Sequence, residues 1–282
     1  MASKLAWRLA AVGVLLGGSW LAFTQGQQQA QPLKVNKVTD DLYELEGDGG
    51  NVAVYVTSEG AIVVDDKFEP DYDDIVANVK KLTDKPVKYL LNTHHHGDHT
   101  GSNGKFTTTQ IVAHRNVRVN MEKGKQAGAP GVTYSNEAQV YLGGKTVELH
   151  YYGRSHTNGD SVIYFPALKT VHFGDMFVQG PPLIDYNGGG SIVDWTNTLD
   201  GALKLDFETA IPGHGPIMKK ADVVKFRNDI VAMRTRVSSA IKGGASQDQV
   251  TKLLTSEFGW QEGGMQLRMG GPGMYNELKA AN

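Results

Sequence analysis

Short runs of apolar, largely β-branched residues alternate with polar, glycine-containing turns along much of the chain. The first runs lie at 42–45, 52–56 and 61–64, and turns this short predict an antiparallel meander. Further strands are predicted at 87–91, 111–113, 140–142, 146–151, 161–165, 170–173 and 209–211. Helical spacing of apolar residues predicts helices at 73–82, 116–123, 194–203 and 221–242. This alternation favours two sheets with helices on their outer faces.

Two segments lie outside this pattern. The glycine-rich stretch 263–273 has neither the alternation of a strand nor the apolar spacing of a helix. We expect a mobile loop there, followed by a short C-terminal helix. At the N-terminus, Lys4 and Arg8 precede an apolar run, 9–23, that is short and interrupted by glycines, as in a secretory signal peptide. We therefore predict a signal peptide and short leader at 1–30 and one catalytic domain at 33–282. The alternative for the first segment is an uncleaved membrane anchor.

Composition narrows the class of protein. The 282 residues are 40% hydrophobic and 21% charged, which is typical of a globular protein with a sizeable core. Removal of Lys4 and Arg8 leaves 26 basic side chains against 30 acidic ones, a balance that gives no basic surface for nucleic acid. We expect a periplasmic or secreted protein that leaves the membrane after signal cleavage and acts on a small molecule. The sequence leaves its oligomeric state open.

A dense cluster of metal-binding residue types follows the predicted strand 87–91. Four histidines and an aspartate lie within six residues, His94-His95-His96-Gly97-Asp98-His99. Imidazole and carboxylate groups are the ligands that a divalent metal such as zinc prefers, and the chain has no cysteine to add a thiolate. We expect Gly97 to permit the turn that carries Asp98 and His99 to a second ion.

This cluster resembles the signature of the metallo-β-lactamase superfamily, His-x-His-x-Asp-His. Three later segments are similar to the remaining motifs of that family and occur in the family's order: Gly153–Asp160 (GRSHTNGD), Phe173–Asp175 (FGD) and Ile211–Gly215 (IPGHG). Asp65, at the end of a predicted strand, resembles the aspartate that begins the series. The resemblance covers about residues 35–216. It implies a four-layer αββα sandwich, with two mixed sheets flanked by helices.

The resemblance also implies a set of site residues. The first metal would be bound by His94, His96 and His156, the second by Asp98, His99 and His214, and Asp175 would bridge them. Two Zn²⁺ ions are expected, with manganese and iron as alternatives. A hydroxide between the metals would be the nucleophile, oriented by Asp98 as the catalytic residue. Asp65 would support a ligand from behind, Asp160 would brace the loop around His156, and His95 would be structural.

Hydrolysis is the reaction that these residues favour. Redox relatives carry a glutamate at the position of His96, so the intact histidine argues against oxygen chemistry. The leading hypothesis is hydrolysis of a β-lactam or a related cyclic amide or ester. Two departures weigh against efficient lactamase activity, since Asp175 replaces a cysteine ligand and Val178 replaces a lysine that binds the substrate carboxylate. The alternatives are a glyoxalase-II-like thioesterase, a lactonase, a phosphodiesterase, or a metal-binding module without turnover.

Two glycine-rich loops are candidates for substrate contact. Segment 47–51 (GDGGN) joins two predicted strands, and it is interpreted either as a mobile flap or as a plain hairpin turn. Segment 185–191 (DYNGGGS) precedes a predicted helix, where it would supply backbone N–H donors to an oxyanion or form an ordinary surface loop.

Overall fold

The structure is a computed structural model and describes residues 32–281. The predicted signal peptide and leader therefore lie outside the described residues. Thirteen strands are present in this part of the chain: β1 (Lys34–Lys37), β2 (Leu42–Glu46), β3 (Val52–Val56), β4 (Ala61–Val64), β5 (Val87–Asn92), β6 (Gln110–His114), β7 (Val132–Tyr134), β8 (Glu137–Leu142), β9 (Lys145–His150), β10 (Val162–Phe165), β11 (Thr170–His172), β12 (Thr209–Ile211) and β13 (Met218–Lys219). They include every strand that the sequence pattern predicts.

Seven helices accompany the strands: α1 (Tyr72–Leu82), α2 (Gly97–Thr100), α3 (Arg115–Lys123), α4 (Ile192–Ala202), α5 (Lys220–Lys242), α6 (Gln247–Phe258) and α7 (Met265–Ala280). The sequence pattern predicts α1, α3, α4 and α5 to within a residue or two. Helix α6 was missed, although Ser246 and Gln249 form a capping box at its start. No described helix is long and apolar enough to span a membrane.

Both sheets are mixed. The first has the order β1 to β7, antiparallel from β1 to β4, which confirms the predicted meander, and parallel from β4 to β7. The second has the order β13-β12-β11-β10-β9-β8, in which only the β11–β12 pair is parallel.

Strand alternation creates a core on each face of the first sheet. In β4, Ile62 and Val64 belong to the cluster between the two sheets, whereas Ala61 and Val63 pack with α1. The outer face of the second sheet is covered by α4 to α7, whose apolar side chains form the largest core cluster. The layers are therefore helix, sheet, sheet and helix, which confirms the predicted fold class.

The prediction of a mobile loop at 263–273 is wrong, since α7 includes most of that segment. Its glycines are packing positions. A Cβ at Gly273 would lie 2.1 Å from the Tyr186 ring, and a Cβ at Gly270 would lie 3.1 Å from Trp260. The absent side chains let α7 approach its neighbours closely, and this tertiary packing outweighs the low helix propensity of glycine.

Candidate metal centre

Strand ends supply most of the side chains at one edge of the sandwich. Asp65 follows β4, His94–His99 follow β5, Asp175 follows β11 and His214 follows β12. Because β4 and β5 are parallel, as are β11 and β12, each pair brings its carboxyl ends to one edge. His156 comes from the connection between β9 and β10. Ligands of α/β proteins bind at this edge of the sheet.

The first group of donor atoms consists of three histidines and an aspartate. The ligand atoms of His94, His96, His156 and Asp175 all lie within 4.8 Å of one another. His96 Nδ1 is 2.8 Å from His156 Nε2. The His94 ring stands edge-on to both imidazoles, with centroids 4.9 Å away in each case. These are the residues that the resemblance assigns to one metal, together with the bridging aspartate.

In two of the three histidines, one ring nitrogen donates a hydrogen bond away from the group, so the lone pair of the other ring nitrogen points toward its centre. His156 Nδ1 donates to the Leu183 carbonyl at 2.7 Å, which leaves a lone pair on Nε2. His96 Nε2 donates to Asp185 at 2.9 Å, which leaves a lone pair on Nδ1. Two lone pairs 2.8 Å apart repel each other, and a shared cation removes that repulsion.

His94 completes the group with an acceptor that has no partner in the protein. Its Nδ1 lies 3.1 Å from the Thr93 hydroxyl, which itself donates to Asp65 at 2.7 Å. The proton of His94 is therefore on Nδ1, and its Nε2 presents a lone pair. That Nε2 is buried and forms no hydrogen bond. Buried polar atoms are rarely left unpaired, so this nitrogen fits a metal ligand.

The second group consists of Asp98, His99 and His214. The Nε2 atoms of the two histidines are 3.4 Å apart, and His214 Nε2 is 3.2 Å from an Asp98 carboxylate oxygen. Asp65 accepts from His99 Nδ1 at 2.8 Å and from the Thr93 backbone N–H at 2.8 Å. The predicted supporting role of Asp65 is thus visible as a direct contact that orients His99.

Asp175 lies between the two groups. One of its carboxylate oxygens is 3.2 Å from His99 Nε2 and 3.3 Å from His214 Nε2, and the other is 3.5 Å from His156 Nε2. A Cβ at Gly213 would lie 2.0 Å from this carboxylate, so only glycine leaves room for it. The geometry matches the bridging position that the resemblance implies for Asp175.

Electrostatics favour cations in the second group. Burial lowers the pKa of His99, but the carboxylates of Asp175, Asp98 and Asp65 outweigh burial and raise it well above the ordinary value. Burial also opposes protonation of His214, whose hydrogen bonds to Asp175 and Asp98 nevertheless raise its pKa to about 9. Protons therefore bind here unusually tightly, and a divalent cation has to displace them. On donor type, orientation and charge, the residues fit divalent metal ions.

The loop at 47–51 joins β2 to β3 and is anchored against the second group by hydrogen bonds. Gly50 N–H donates to the Asp98 carbonyl at 3.0 Å, and Asn51 N–H donates to the Gly213 carbonyl at 2.7 Å. The buried Lys67 ammonium donates to the Gly50 carbonyl at 2.6 Å and to the Asp48 carbonyl at 3.1 Å. A Cβ at Gly50 would lie 2.2 Å from the His99 ring, which shows how closely this loop packs.

The loop at 185–191 contributes a side chain to the centre, and most of its backbone N–H groups are not free to form an oxyanion site. Its backbone N–H groups at Asn187, Gly189, Gly190 and Ser191 already donate to acceptors within the protein. Asp185 is the functional residue that sequence reasoning missed. Burial opposes ionisation of Asp185, but the His96 hydrogen bond, the Gly188 backbone hydrogen bond and the charges of His96 and His95 together outweigh burial and lower the Asp185 pKa to about 2. The carboxylate is therefore ionised and holds His96 in place.

Glu277, on α7, fixes the 185–191 loop in turn. Its carboxylate accepts hydrogen bonds from the Tyr186 hydroxyl at 2.7 Å, from the Ile192 backbone N–H at 3.0 Å and from the Ser191 hydroxyl. The C-terminal helix thus supports Asp185, and through it His96, although α7 is far from both in sequence. No local motif marks Glu277, so only the tertiary structure identifies it.

Four other residues near the centre have supporting positions. Asp160 accepts from the Thr157 backbone N–H at 2.8 Å and from the side chains of Ser155 and Thr157, so it braces the His156 loop as predicted. His172 donates to the Asn51 carbonyl at 3.0 Å. His95 has Asp185 at 3.9 Å and belongs to neither group described above. Gly97 has no positive φ and starts α2, so the prediction that its flexibility makes the turn is wrong.

Comparison with known proteins identifies the family. The metallo-β-lactamase superfamily profile matches residues 45–214 of the chain, a range that includes every residue of both donor groups. The chain belongs to the metallo-β-lactamase superfamily. The resemblance of its motifs is thereby confirmed, and the family supports an enzyme of the hydrolase type that binds metal.

Individual relatives are distant. The α subunit of a 2,4-dinitroanisole O-demethylase from Nocardioides sp. is 32% identical over a match that covers 46% of this chain and 41% of the subunit. A metallo-β-lactamase from Elizabethkingia meningoseptica is 24% identical, with 76% of this chain and 89% of the relative covered. A metallo-β-lactamase structure from Pontibacter korlensis has a TM-score of 0.63 at 20% identity, covering 70% of this chain and 98% of the other. That structural likeness confirms the fold.

Proposed function

We propose that this member of the superfamily is a binuclear metal-dependent hydrolase that cleaves a small-molecule ester or cyclic amide, a class that includes the β-lactam amide. The observation that carries this proposal is the position of Asp175, one oxygen of which faces His99 and His214 while the other faces His156. A structural zinc site usually closes four ligands around one ion, and two groups joined by a carboxylate are typical of a catalytic pair.

The proposed cofactors are two Zn²⁺ ions, one held by His94, His96 and His156, the other by Asp98, His99 and His214, with Asp175 shared. Such ions supply Lewis acidity and lower the pKa of a water nucleophile to near neutrality. The protein side chains admit the substrate and orient the attacking water. His96, Asp98 and His214 are the partly exposed members, and they line a cleft where a substrate reaches the donor groups.

Asp98 is the proposed catalytic residue. Burial raises the pKa of its carboxyl, but His99 and the His214 hydrogen bond outweigh burial and lower that pKa to about 2. The carboxylate therefore stays ionised at neutral pH. It accepts a hydrogen bond from the attacking water and turns the water's lone pair toward the carbonyl carbon. The reaction adds water across the ester or amide bond: an open-chain ester gives an acid and an alcohol, and a lactone or cyclic amide opens to a single hydroxy acid or amino acid.

The cellular location is proposed on sequence alone. The charge and apolar run of the first 30 residues support a cleaved signal peptide and a periplasmic or secreted enzyme. N-terminal sequencing of the protein recovered from the producing cells tests this directly. Cleavage between Thr24 and Ala30 is expected, and an intact Met1 in a membrane fraction contradicts it.

Metal stoichiometry and turnover test the hydrolase together. The protein without its signal peptide, reconstituted with zinc, is expected to hold two ions per chain and to open ester, lactone, thioester or chromogenic β-lactam substrates. His96→Ala should lower the stoichiometry and abolish hydrolysis. His150→Ala is the matched control, because His150 contacts Glu148 and lies outside both donor groups. Two bound ions without turnover on any of these substrates would favour a metal-binding module instead.

A further inference from the structure

The cleft above the donor groups has mainly apolar walls. It encloses about 540 Å³, a size that suits a drug-sized molecule. Its floor holds His96, Asp98, Asp175 and His214. The walls are formed by the apolar side chains of Phe68, Val178, Pro181, Leu183, Met265 and Met269, with Gln179 and Gln266 as the uncharged polar members.

No lysine or arginine lines this cleft among the described residues. Lys67 precedes the wall residue Phe68, but its ammonium is buried and donates to the carbonyls of Asp48 and Gly50. A carboxylate or phosphate bound against these walls would lose its hydration without gaining a cationic partner.

The apolar walls continue to the mouth of the cleft. Phe68 is 40% exposed and Met265 is 53% exposed, so two large apolar side chains face solvent beside the opening. An apolar group that covers them removes this surface from water. Methionine side chains also adapt to ligands of irregular shape, and α7 contributes two of them, Met265 and Met269. The walls thus favour an apolar substituent on the substrate.

We infer that the cleft selects an ester, lactone or cyclic amide whose arm is apolar and carries no carboxylate or phosphate. This assignment rests on the proposed hydrolase function and narrows it. The cleaved bond lies at the donor groups, and the arm lies between Phe68 and α7.

Matched substrate pairs test the charge preference. One pair is 4-nitrophenyl hexanoate and 4-nitrophenyl hemiadipate, and another is 4-nitrophenyl octanoate and 4-nitrophenyl hemisuberate; the members of each pair differ by one terminal carboxylate on the arm. The zinc enzyme is expected to show kcat/KM at least tenfold higher for the neutral member of a pair. Equal values, or a preference for the anionic member, would overturn the assignment while leaving the hydrolase intact.

Charge substitutions in the wall sharpen this test. Val178→Lys and Met265→Lys should each lower the neutral preference at least tenfold, mainly through a lower KM for the anionic substrate. Met265 is exposed at the start of α7, so its variant is expected to fold even if the variant at Val178 does not. Val119→Lys is the matched control, because it adds the same charge on exposed α3 and should leave the ratio unchanged.

A binding measurement separates the cleft from the chemistry. Ligand-observed NMR with the metal-free protein compares neutral 4-nitroanisole with anionic 4-nitrobenzoate, neither of which needs turnover. At least fivefold tighter binding of the neutral ligand is expected, and Met265→Lys should remove the difference. If this preference appears but no substrate is hydrolysed, the assigned cleft character stands and the hydrolase proposal is wrong. No preference in either measurement overturns the assignment.

Discussion

Replacing Asp185 by asparagine tests whether a carboxylate behind His96 controls the first group of metal ligands. Asp185 uses both oxygens as acceptors, one for His96 Nε2–H at 2.9 Å and one for the Asn187 backbone N–H at 3.0 Å. An amide has a single acceptor oxygen, so in Asp185→Asn one of these two N–H groups must face an NH₂. The substitution is nearly isosteric and changes charge and hydrogen bonding.

The expected loss follows from the contact that is weakened. A hydrogen bond to a charged group contributes about 1.5–3 kcal/mol, and about 1.4 kcal/mol is a tenfold change in an equilibrium constant. Outer contacts of metal-bound histidines affect metal affinity by roughly 10–100-fold, which agrees with this range. We therefore expect Asp185→Asn to lower the affinity for one of the two proposed zinc ions by about 10–100-fold and to leave the affinity for the other nearly unchanged.

Competition with a chromogenic chelator measures both affinities, and circular dichroism shows whether the variant is folded. Asp229→Asn is the control, since it removes the same charge from an exposed ion pair with Lys225 on α5. Zinc affinities of Asp185→Asn within twofold of the wild type at both sites would show that this carboxylate does not orient His96. A loss of affinity confined to the ion at Asp98, His99 and His214 would show that Asp185 supports the second group and not the first.

The remaining predictions concern the second group and the loop beside it. Asp65→Asn should lower the affinity for the other proposed zinc ion by about 10–100-fold, because it disrupts the hydrogen bond that Asp65 accepts from His99. The same chelator assay measures this change. Burial lowers the pKa of Lys67 from 10.5 to about 8, so between these values the unfolded chain binds more protons and the free energy of unfolding rises with pH. The rise amounts to about 3 kcal/mol, and urea titrations at pH 7 and 10 should find it in the wild type relative to Lys67→Met. Gly50→Ala should destabilise the protein, since its Cβ meets the His99 ring at 2.2 Å, whereas Gly97→Ala meets nothing within 4 Å and should leave the thermal midpoint unchanged or higher. Equal thermal midpoints for the two alanine variants would contradict that argument.

The sequence predicts the strand framework and the ligand set because both are local patterns. Residues 42–64 alternate over short strands with short turns, and the structure has the antiparallel meander there. The ligand motifs lie directly after strands or between them, so their order along the chain already specifies the edge at which they meet. The structure places all seven predicted ligands in the two groups.

What the sequence does not predict depends on contacts between distant segments. Glu277 and Asp185 are ordinary acidic residues in sequence, and they gain roles only where α7 meets the 185–191 loop. The helical state of 263–273 was missed because glycine and proline oppose helices locally, while the close approach to Tyr186 and Trp260 favours one. The anchoring of loop 47–51 similarly depends on Lys67, which sequence reasoning did not single out.

The donor groups lie within residues 65–214, whereas α7 forms part of the cleft wall. This separation has a consequence for how such a protein changes over evolutionary time. The proposed metal ligands and the two carboxylates that contact them from behind, Asp65 and Asp185, come from the first stretch, whereas Met265, Gln266 and Met269 of the cleft wall come from the second. We therefore expect substitutions on this part of α7 to change the substrate preference without altering the residues of the two donor groups. Glu277 lies on the same helix, about three turns away, and limits this freedom to the first half of α7. A library randomised at these three positions, with Glu277 kept, samples new specificities on an unchanged catalytic centre.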